Sequence, residues 1–174
     1  MIKKVLLILW SIFCILILSS CQEVEIERAI AVVTATEGNQ VSGIVTFQQK
    51  EGHVLVNAKL NGLNPNQKHG FHVHEYGDIS AKDGKSAGGH YNPDGHPHGL
   101  PPTKMRHAGS FGNIQADENG QAIFTLEDDT ISVSGHQNPI IGRAVVVHAK
   151  EDIGAQPTGA AGPRIGTGVI GIAK

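Results

Sequence analysis

Short runs of alternating apolar and polar residues recur along most of the chain. Residues 41–47 read Val-Ser-Gly-Ile-Val-Thr-Phe, and in residues 53–60 the small apolar residues Val54, Val56 and Ala58 occupy every second position. Alternation with a period of two is typical of a strand that buries one face. Because no segment shows sustained helical periodicity, the pattern predicts an all-β protein.

Other strand candidates are runs of apolar and β-branched residues between turn-forming residues: 31–34, 71–74, 113–117, 122–126, 131–133, 144–147 and 169–172. Glu118-Asn119-Gly120 separates two of them and predicts a β-hairpin. About eight short strands indicate an antiparallel barrel or sandwich. Residues 77–112 and 152–167 lack strand signals, and ordered loops of that length are usually functional.

The chain begins with an export signal. Lys3 and Lys4 precede an almost unbroken apolar run over residues 5–18, which is too short for a stable membrane span. The following Ser19-Ser20-Cys21, after Leu18, resembles a bacterial lipobox. We therefore expect cleavage before Cys21, lipidation of that cysteine, and an exported, membrane-anchored lipoprotein that faces the periplasm or the cell exterior. An uncleaved anchor and a plain secretory cleavage are the alternatives.

Removal of this signal peptide, residues 1–20, defines the mature chain. We expect residues 21–28 to be a short acidic tether and residues 29–174 to be one domain. Loss of two lysines takes the formal net charge from −2 to −4 and leaves no basic stripe, which argues against nucleic-acid binding. Cys21 is the only cysteine left, so an intramolecular disulfide is excluded.

Histidines crowd one long loop and the strand before it. Seven of the ten lie within fewer than forty residues, at positions 69, 72, 74, 90, 96, 98 and 107. Imidazole is the commonest metal ligand in proteins. On a strand, His72 and His74 project from one face with Cα atoms about 6.6 Å apart, so both can reach one ion. The crowding predicts a metal site, although this pair by itself also fits a half-exposed strand.

Ordered motifs follow this strand: Gly88-Gly89-His90-Tyr91-Asn92-Pro93, His98-Gly99-Leu100-Pro101, Arg106-His107-Ala108-Gly109, Val146-Val147-His148, Gly162-Pro163-Arg164 and the Gly168 to Ile172 run. With Gly70-Phe71-His72-Val73-His74-Glu75, they resemble the signatures of the copper/zinc superoxide dismutase family across residues 29–174. The resemblance implies a Greek-key β-barrel or sandwich, in agreement with the strand pattern.

The resemblance also implies two metals. Copper is expected on four histidines, His72, His74, His90 and His148. Zinc is expected on three histidines, His90, His98 and His107, so that His90 bridges the two ions. The implied reaction is disproportionation of superoxide to O₂ and hydrogen peroxide by Cu(II)/Cu(I) cycling, with a proton from His90.

Two further residues receive roles from the resemblance. Arg164 is expected beside the copper, where its guanidinium attracts superoxide and donates hydrogen bonds to it. Asp152 is expected to link His72 to His98 and to fix the orientation of both rings.

The zinc site departs from the family pattern. Ser110 stands where the family has a carboxylate ligand, so we expect weaker zinc binding, with water or an exogenous anion in the fourth position, and whether zinc is bound stays open. His96 is an additional donor that could compensate, but a solvated loop residue is the favoured interpretation, as it is for Asp94.

Two structural features of the family are also missing. Gly84 and Thr167 stand at the positions of its disulfide, so metal or packing must hold the loop. The stretch between Asp152 and Arg164 contains no Lys, Glu or Asp, so we expect steering of superoxide to rest mainly on Arg164 and the metal.

Two functions of different classes fit these observations. The first is a membrane-tethered superoxide dismutase whose partners are superoxide and, through Cys21, a membrane. The second is a non-catalytic metal-binding or structural lipoprotein on a dismutase scaffold. The complete copper set favours the enzyme, whereas the missing carboxylate and disulfide keep the alternative open; the oligomeric state is not predicted.

Overall fold

A computed structural model describes residues 25–174, so the expected signal peptide and Cys21 lie outside the described residues. Within this range the chain forms eight strands: β1 (Arg28–Ala35), β2 (Ser42–Lys50), β3 (His53–Asn61), β4 (Lys68–His74), β5 (Ser110–Gln115), β6 (Ala122–Asp128), β7 (Ala144–His148) and β8 (Arg164–Ile172). A 3₁₀ turn over Lys85–Ala87 is the one helical element of this part. None of its helices is long and apolar enough to span a membrane.

The strands form one antiparallel sheet that curls into a nearly closed barrel. Their order is β5-β4-β7-β8-β1-β2-β3-β6, and each neighbouring pair is antiparallel. β6 returns to lie beside β3, and β7 returns to lie beside β4, which are Greek-key connections. The expected all-β Greek-key barrel is confirmed.

The predicted alternation fills the barrel. Val54, Val56 and Ala58 are at most 1% exposed. The ring of Phe71 contacts those of Phe111 and Phe124, with centroid distances of 5.6 and 5.4 Å. Since Phe71 and the buried Val73 face this core, the period of two turns His72 and His74 to the opposite face.

Two strand predictions are wrong. Residues 113–117 and 122–126 do not form a hairpin, because β5 pairs with β4 and β6 pairs with β3. The turn between them is instead tied to the β3–β4 connection, where the backbone N–H of Leu63 donates to the carbonyl of Gly120 at 3.1 Å. Residues 131–133 do not form a strand and make a single isolated β-bridge, between Ser132 and Pro139. Their backbone–backbone hydrogen bonds go to residues 138–141 of the same loop.

Two long loops cover the histidine face of β4. The first loop (residues 75–109) forms two backbone hydrogen bonds with Val73 of β4. The amide of Val73 donates to the carbonyl of Gly109 at 2.8 Å, and the carbonyl of Val73 accepts from the amide of Tyr91 at 2.9 Å. The second loop (residues 149–163) accepts a bond from the amide of Gly70. A Cβ at Gly70 would lie 2.7 Å from that of Ala161, so glycine permits this close approach.

Hydrogen bonds hold the first loop where the family has a disulfide. A Cβ on Gly84 would lie 2.9 Å from Cγ2 of Thr167, so the two positions are adjacent. Arg164 donates from Nη1 to the carbonyl of Gly84, and the carbonyl of Arg164 accepts from Thr36 Oγ1 at 2.8 Å. The amide of Glu37 also donates to the carbonyl of Lys82 at 2.9 Å.

Replacement of Gly84 and Thr167 together by cysteine should therefore allow a disulfide to form. Cross-linking so distant a pair typically stabilises by about 2–4 kcal/mol. About 1 kcal/mol of this is lost because Gly84 has φ +71°, which strains other residues. Denaturant unfolding of the protein without residues 1–21, with and without reductant, measures the gain. Thr167→Cys alone is the control, and equal stability of the oxidised and reduced double variant would contradict the expectation.

Candidate metal centre

Four buried histidines converge beneath the two loops. His72 and His74 lie on β4, His148 ends β7, and His90 belongs to the first loop. One ring nitrogen of each lies within 4.8 Å of the others, and no member is more than 6% exposed. The structure thus brings together the four residues expected at copper, and we refer to them as the four-histidine cluster.

Hydrogen bonds select which nitrogens face the centre of this cluster. Nδ1 of His74 donates to the carbonyl of Gly88, and Nδ1 of His148 donates to that of Gly162, each at 3.0 Å. Their Nε2 atoms are therefore acceptors, yet they lie 3.3 Å apart. Two lone pairs at this distance repel each other unless a cation lies between them.

The ring nitrogens that the other two histidines direct into the cluster are buried and have no hydrogen-bond partner in the part of the protein that the structure describes. Among the described residues, His72 Nδ1 and His90 Nε2 have no hydrogen bond although both atoms are shielded from solvent. Unsatisfied buried polar atoms are rare and require an explanation. A bound metal ion explains these two and the facing pair together.

A second group, the three-histidine cluster, consists of His90, His98 and His107. Nδ1 of His90 lies 3.3 Å from Nδ1 of His107, and Nδ1 of His98 lies 3.3 Å from Oγ of Ser110. Ligand atoms of a tetrahedral zinc are about 3.3–3.4 Å apart, given Zn–N distances near 2.0–2.1 Å. The spacing fits zinc, and Ser110, the fully buried first residue of β5, stands at the fourth position.

The two residues considered as substitutes for the missing carboxylate are engaged elsewhere. Nδ1 of His96 donates to the carbonyl of Arg106 at 3.3 Å, and a carboxylate oxygen of Asp94 accepts from Asn138 at 3.0 Å. Within residues 25–174, no Asp or Glu joins the three-histidine cluster.

Asp152, in the second loop, links the two clusters. Its Oδ2 accepts a hydrogen bond from Nε2 of His72 at 2.8 Å and from Nε2 of His98 at 2.9 Å. These bonds place protons on Nε2 of both rings and leave Nδ1 of each facing its own cluster. Such partners fix ring orientation and raise ligand basicity.

Three residues that support the site carried no recognised sequence signal. Asn113 on β5 accepts from the amide of Asp152 at 2.7 Å and donates to its carbonyl at 2.9 Å. The side chain of Gln156 accepts from the amide of His98 at 3.0 Å and donates to its carbonyl at 2.8 Å. His69, a histidine without an expected role, is fully buried and donates from Nδ1 to the carbonyl of His148 at 2.8 Å.

Arg164 lies at the edge of the four-histidine cluster. Its Nη2 donates to the carbonyl of Gly88, which also accepts from His74, so one carbonyl joins the guanidinium to the cluster. Arg164 also lines an open cleft of about 530 Å³ together with Lys85 and Asp83, which form an ion pair of 2.8 Å. The cleft therefore contains a second positively charged side chain, Lys85, whose charge is paired with that of Asp83.

Residues 41–170 match the family model described as copper/zinc superoxide dismutase. The chain belongs to the copper/zinc superoxide dismutase family. It is 42% identical to the Cu-Zn superoxide dismutase of Paramecium bursaria Chlorella virus 1, over 98% of this chain and 93% of that protein. It is 43% identical to the Cu-Zn superoxide dismutase 2 of Brassica juncea, over 83% of this chain and 97% of that protein.

A solved structure of the clock protein EA4 has the same fold. It superposes with a TM-score of 0.79 at 42% identity and covers 88% of this chain and 99% of its own. The two buried histidine clusters offer nitrogen donors whose number and spacing suit the copper and zinc of the superoxide dismutase family.

Burial keeps four of these histidines neutral at neutral pH, which leaves nitrogen lone pairs available for metal. It lowers the pKa of His72, His90 and His107, and it lowers that of His148 to about 4. Burial by itself would raise the pKa of Asp152, but hydrogen bonds from His72 and His98 outweigh it and hold that pKa below its ordinary range. At neutral pH, an ionised carboxylate therefore lies beside the neutral ring of His72.

The metal-free protein should lose stability on acidification. His148 titrates at about 4 when folded and at about 6.5 when unfolded, so the unfolded state binds more protons between these values. The contribution of His148 to the free energy of unfolding is complete above pH 6.5. It falls by on the order of 3 kcal/mol as the pH drops to about 4. Urea unfolding across this range tests the slope, which should be shallower in His148→Asn. A flat profile in the unmodified protein would contradict the expectation.

Proposed function

We propose that this protein is a superoxide dismutase, with copper held by the four-histidine cluster and zinc by the three-histidine cluster. The observation that carries the proposal is the complete set of four converging nitrogens, two of which face each other as acceptors at 3.3 Å. Four imidazole nitrogens suit Cu(II). When bound, copper supplies one-electron chemistry.

The reaction converts two superoxide ions and two protons to O₂ and hydrogen peroxide. One superoxide loses an electron, and the other gains an electron and both protons. His90 is the proposed proton donor, because its Nε2 belongs to the four-histidine cluster while its Nδ1 faces His107. The proton would then leave from Nε2, the nitrogen that faces the cluster where superoxide is reduced.

Arg164 is the proposed anion guide. Carbonyls of the first loop accept from its two terminal nitrogens, which orients the guanidinium and leaves further N–H groups for a substrate. Because the second loop contains no charged residue after Asp152, attraction of superoxide rests on Arg164, the metals and the paired Lys85.

The location outside the cytoplasm is also proposed. It rests on the basic and apolar residues 1–18 and on Cys21 after Leu18-Ser19-Ser20. Few residues separate Cys21 from the folded domain in the sequence, since the amide of Ile26 already donates to Ser134 Oγ at 2.7 Å and β1 begins at Arg28. A lipid on Cys21 would therefore hold the barrel near the membrane surface.

Copper loading of the protein without residues 1–20 should produce dismutase activity, and Arg164→Gln should lower kcat/KM roughly tenfold without loss of copper. Stopped-flow decay of superoxide, with metal content measured on the same sample, gives both quantities. Arg164→Lys, which retains the charge, should recover part of the rate. Full copper occupancy with no activity above that of free copper would favour the non-catalytic alternative.

Cys21→Ala should abolish incorporation of labelled fatty acid into the protein in a bacterial host that processes lipoproteins. The measurement is radioactivity in the immunoprecipitated chain. Cys14→Ala, which changes the other cysteine, is the matched control and should retain the label. Label that persists in Cys21→Ala would exclude this cysteine as the lipid attachment point.

A further inference from the structure

We propose that the three-histidine cluster recruits a small anion from solution as the fourth ligand of its zinc. This inference rests on the proposed assignment of zinc to His90, His98 and His107. It adds a ligand class to that site, namely a halide or a carboxylate no larger than formate.

The donor set lacks a carboxylate or thiolate side chain. Ser110 is the residue at the fourth position, with Oγ 3.3 Å from Nδ1 of His98. A neutral serine hydroxyl is not among the usual zinc ligands, which are thiolates, imidazoles and carboxylates. A divalent cation in a buried site is costly when its ligands do not neutralise its charge, and an anion from solution would reduce that cost.

Asp152 cannot serve as the fourth ligand. It contacts His98 through Nε2, on the opposite side of the ring from the Nδ1 that faces the cluster. Its backbone is bonded on both sides by Asn113. A Cβ at Gly159 would lie only 2.0 Å from Oδ1, so the neighbouring backbone encloses the carboxylate.

The backbone of Ser110 is equally fixed. Its amide donates to the carbonyl of His107 at 3.0 Å, and its carbonyl accepts from Nε of Arg106 at 3.0 Å. Arg106 is itself held by Asp128 in a buried ion pair of 2.6 Å. A serine hydroxyl on this backbone reaches one atom less far than an aspartate carboxylate, and its O–H can donate to an anion beside it.

Burial limits the size of the anion. His90, His98 and His107 are 4–7% exposed, and Ser110 is fully buried. Chloride and formate are the smallest candidates, and formate carries the carboxylate that an aspartate would provide. Sulfate, a bulkier tetrahedral anion, should not enter and therefore serves as the ionic-strength control.

Zinc affinity of the full chain in detergent, with copper bound first, tests this proposal. Competition with a chromophoric chelator is measured in formate, in chloride and in sulfate at equal ionic strength. We expect formate and chloride to tighten zinc binding at least tenfold relative to sulfate. Co(II) in place of zinc should show a formate-dependent change in its visible absorption.

Ser110→Asp is the matched variant, because it builds the carboxylate into the chain. It should bind zinc more tightly, and formate should no longer change its zinc affinity. If formate still tightens zinc binding in this variant, the anion acts elsewhere, for example at copper. Ser110→Gly, which removes the hydroxyl without adding bulk, should retain or enlarge the formate effect.

The outcomes separate the inference from the zinc assignment. Zinc binding that is equal in formate, chloride and sulfate, in both the unmodified chain and Ser110→Gly, overturns the anion ligand and leaves the three-histidine site standing. Failure of the unmodified chain and of Ser110→Asp to bind zinc overturns the assignment and the anion ligand together.

Discussion

One buried carboxylate sets the proton positions on which both histidine clusters depend. Asp152 is 1% exposed, and its Oδ2 accepts from Nε2 of His72 and of His98. The two donors stabilise the ionised carboxylate, and the carboxylate keeps both protons on the outer nitrogens, so Nδ1 of each ring is free to bind. Loss of one member would leave a buried polar group without its partner, which is costly. The two metal sites therefore share one support.

The barrel and its loops converge on this carboxylate. Alternation along β4 places Phe71 in the core and His72 on the loop side, and β5 presents Asn113 to the backbone of Asp152. The second loop reaches β4 because Gly70 lacks a side chain. Packing of the apolar core thus determines the position of the polar site.

Much of this arrangement was predictable from particular residues. The period of two assigns His72 and His74 to one face of a strand, and the ordered motifs bring in His90, His148, Asp152 and Arg164. The pairing of the strands on either side of residues 118–120 was predicted wrongly as a hairpin, because turn residues act locally whereas strand pairing depends on how the whole barrel closes. Asn113 and Gln156 were missed because each acts through backbone atoms of a residue that is distant in sequence.

Metal titration of Asp152→Asn tests the shared support most directly. An asparagine is neutral, and its amide nitrogen, which does not accept hydrogen bonds, would replace either the oxygen that both imidazoles share or the oxygen that accepts from the amide of Gly154. We therefore predict that affinity falls about 10–100-fold at both the copper and the zinc site. Glu151→Gln is the control, since Glu151 is an exposed neighbour paired with Lys68 at 2.8 Å. Unchanged affinity for either metal in Asp152→Asn would contradict the account.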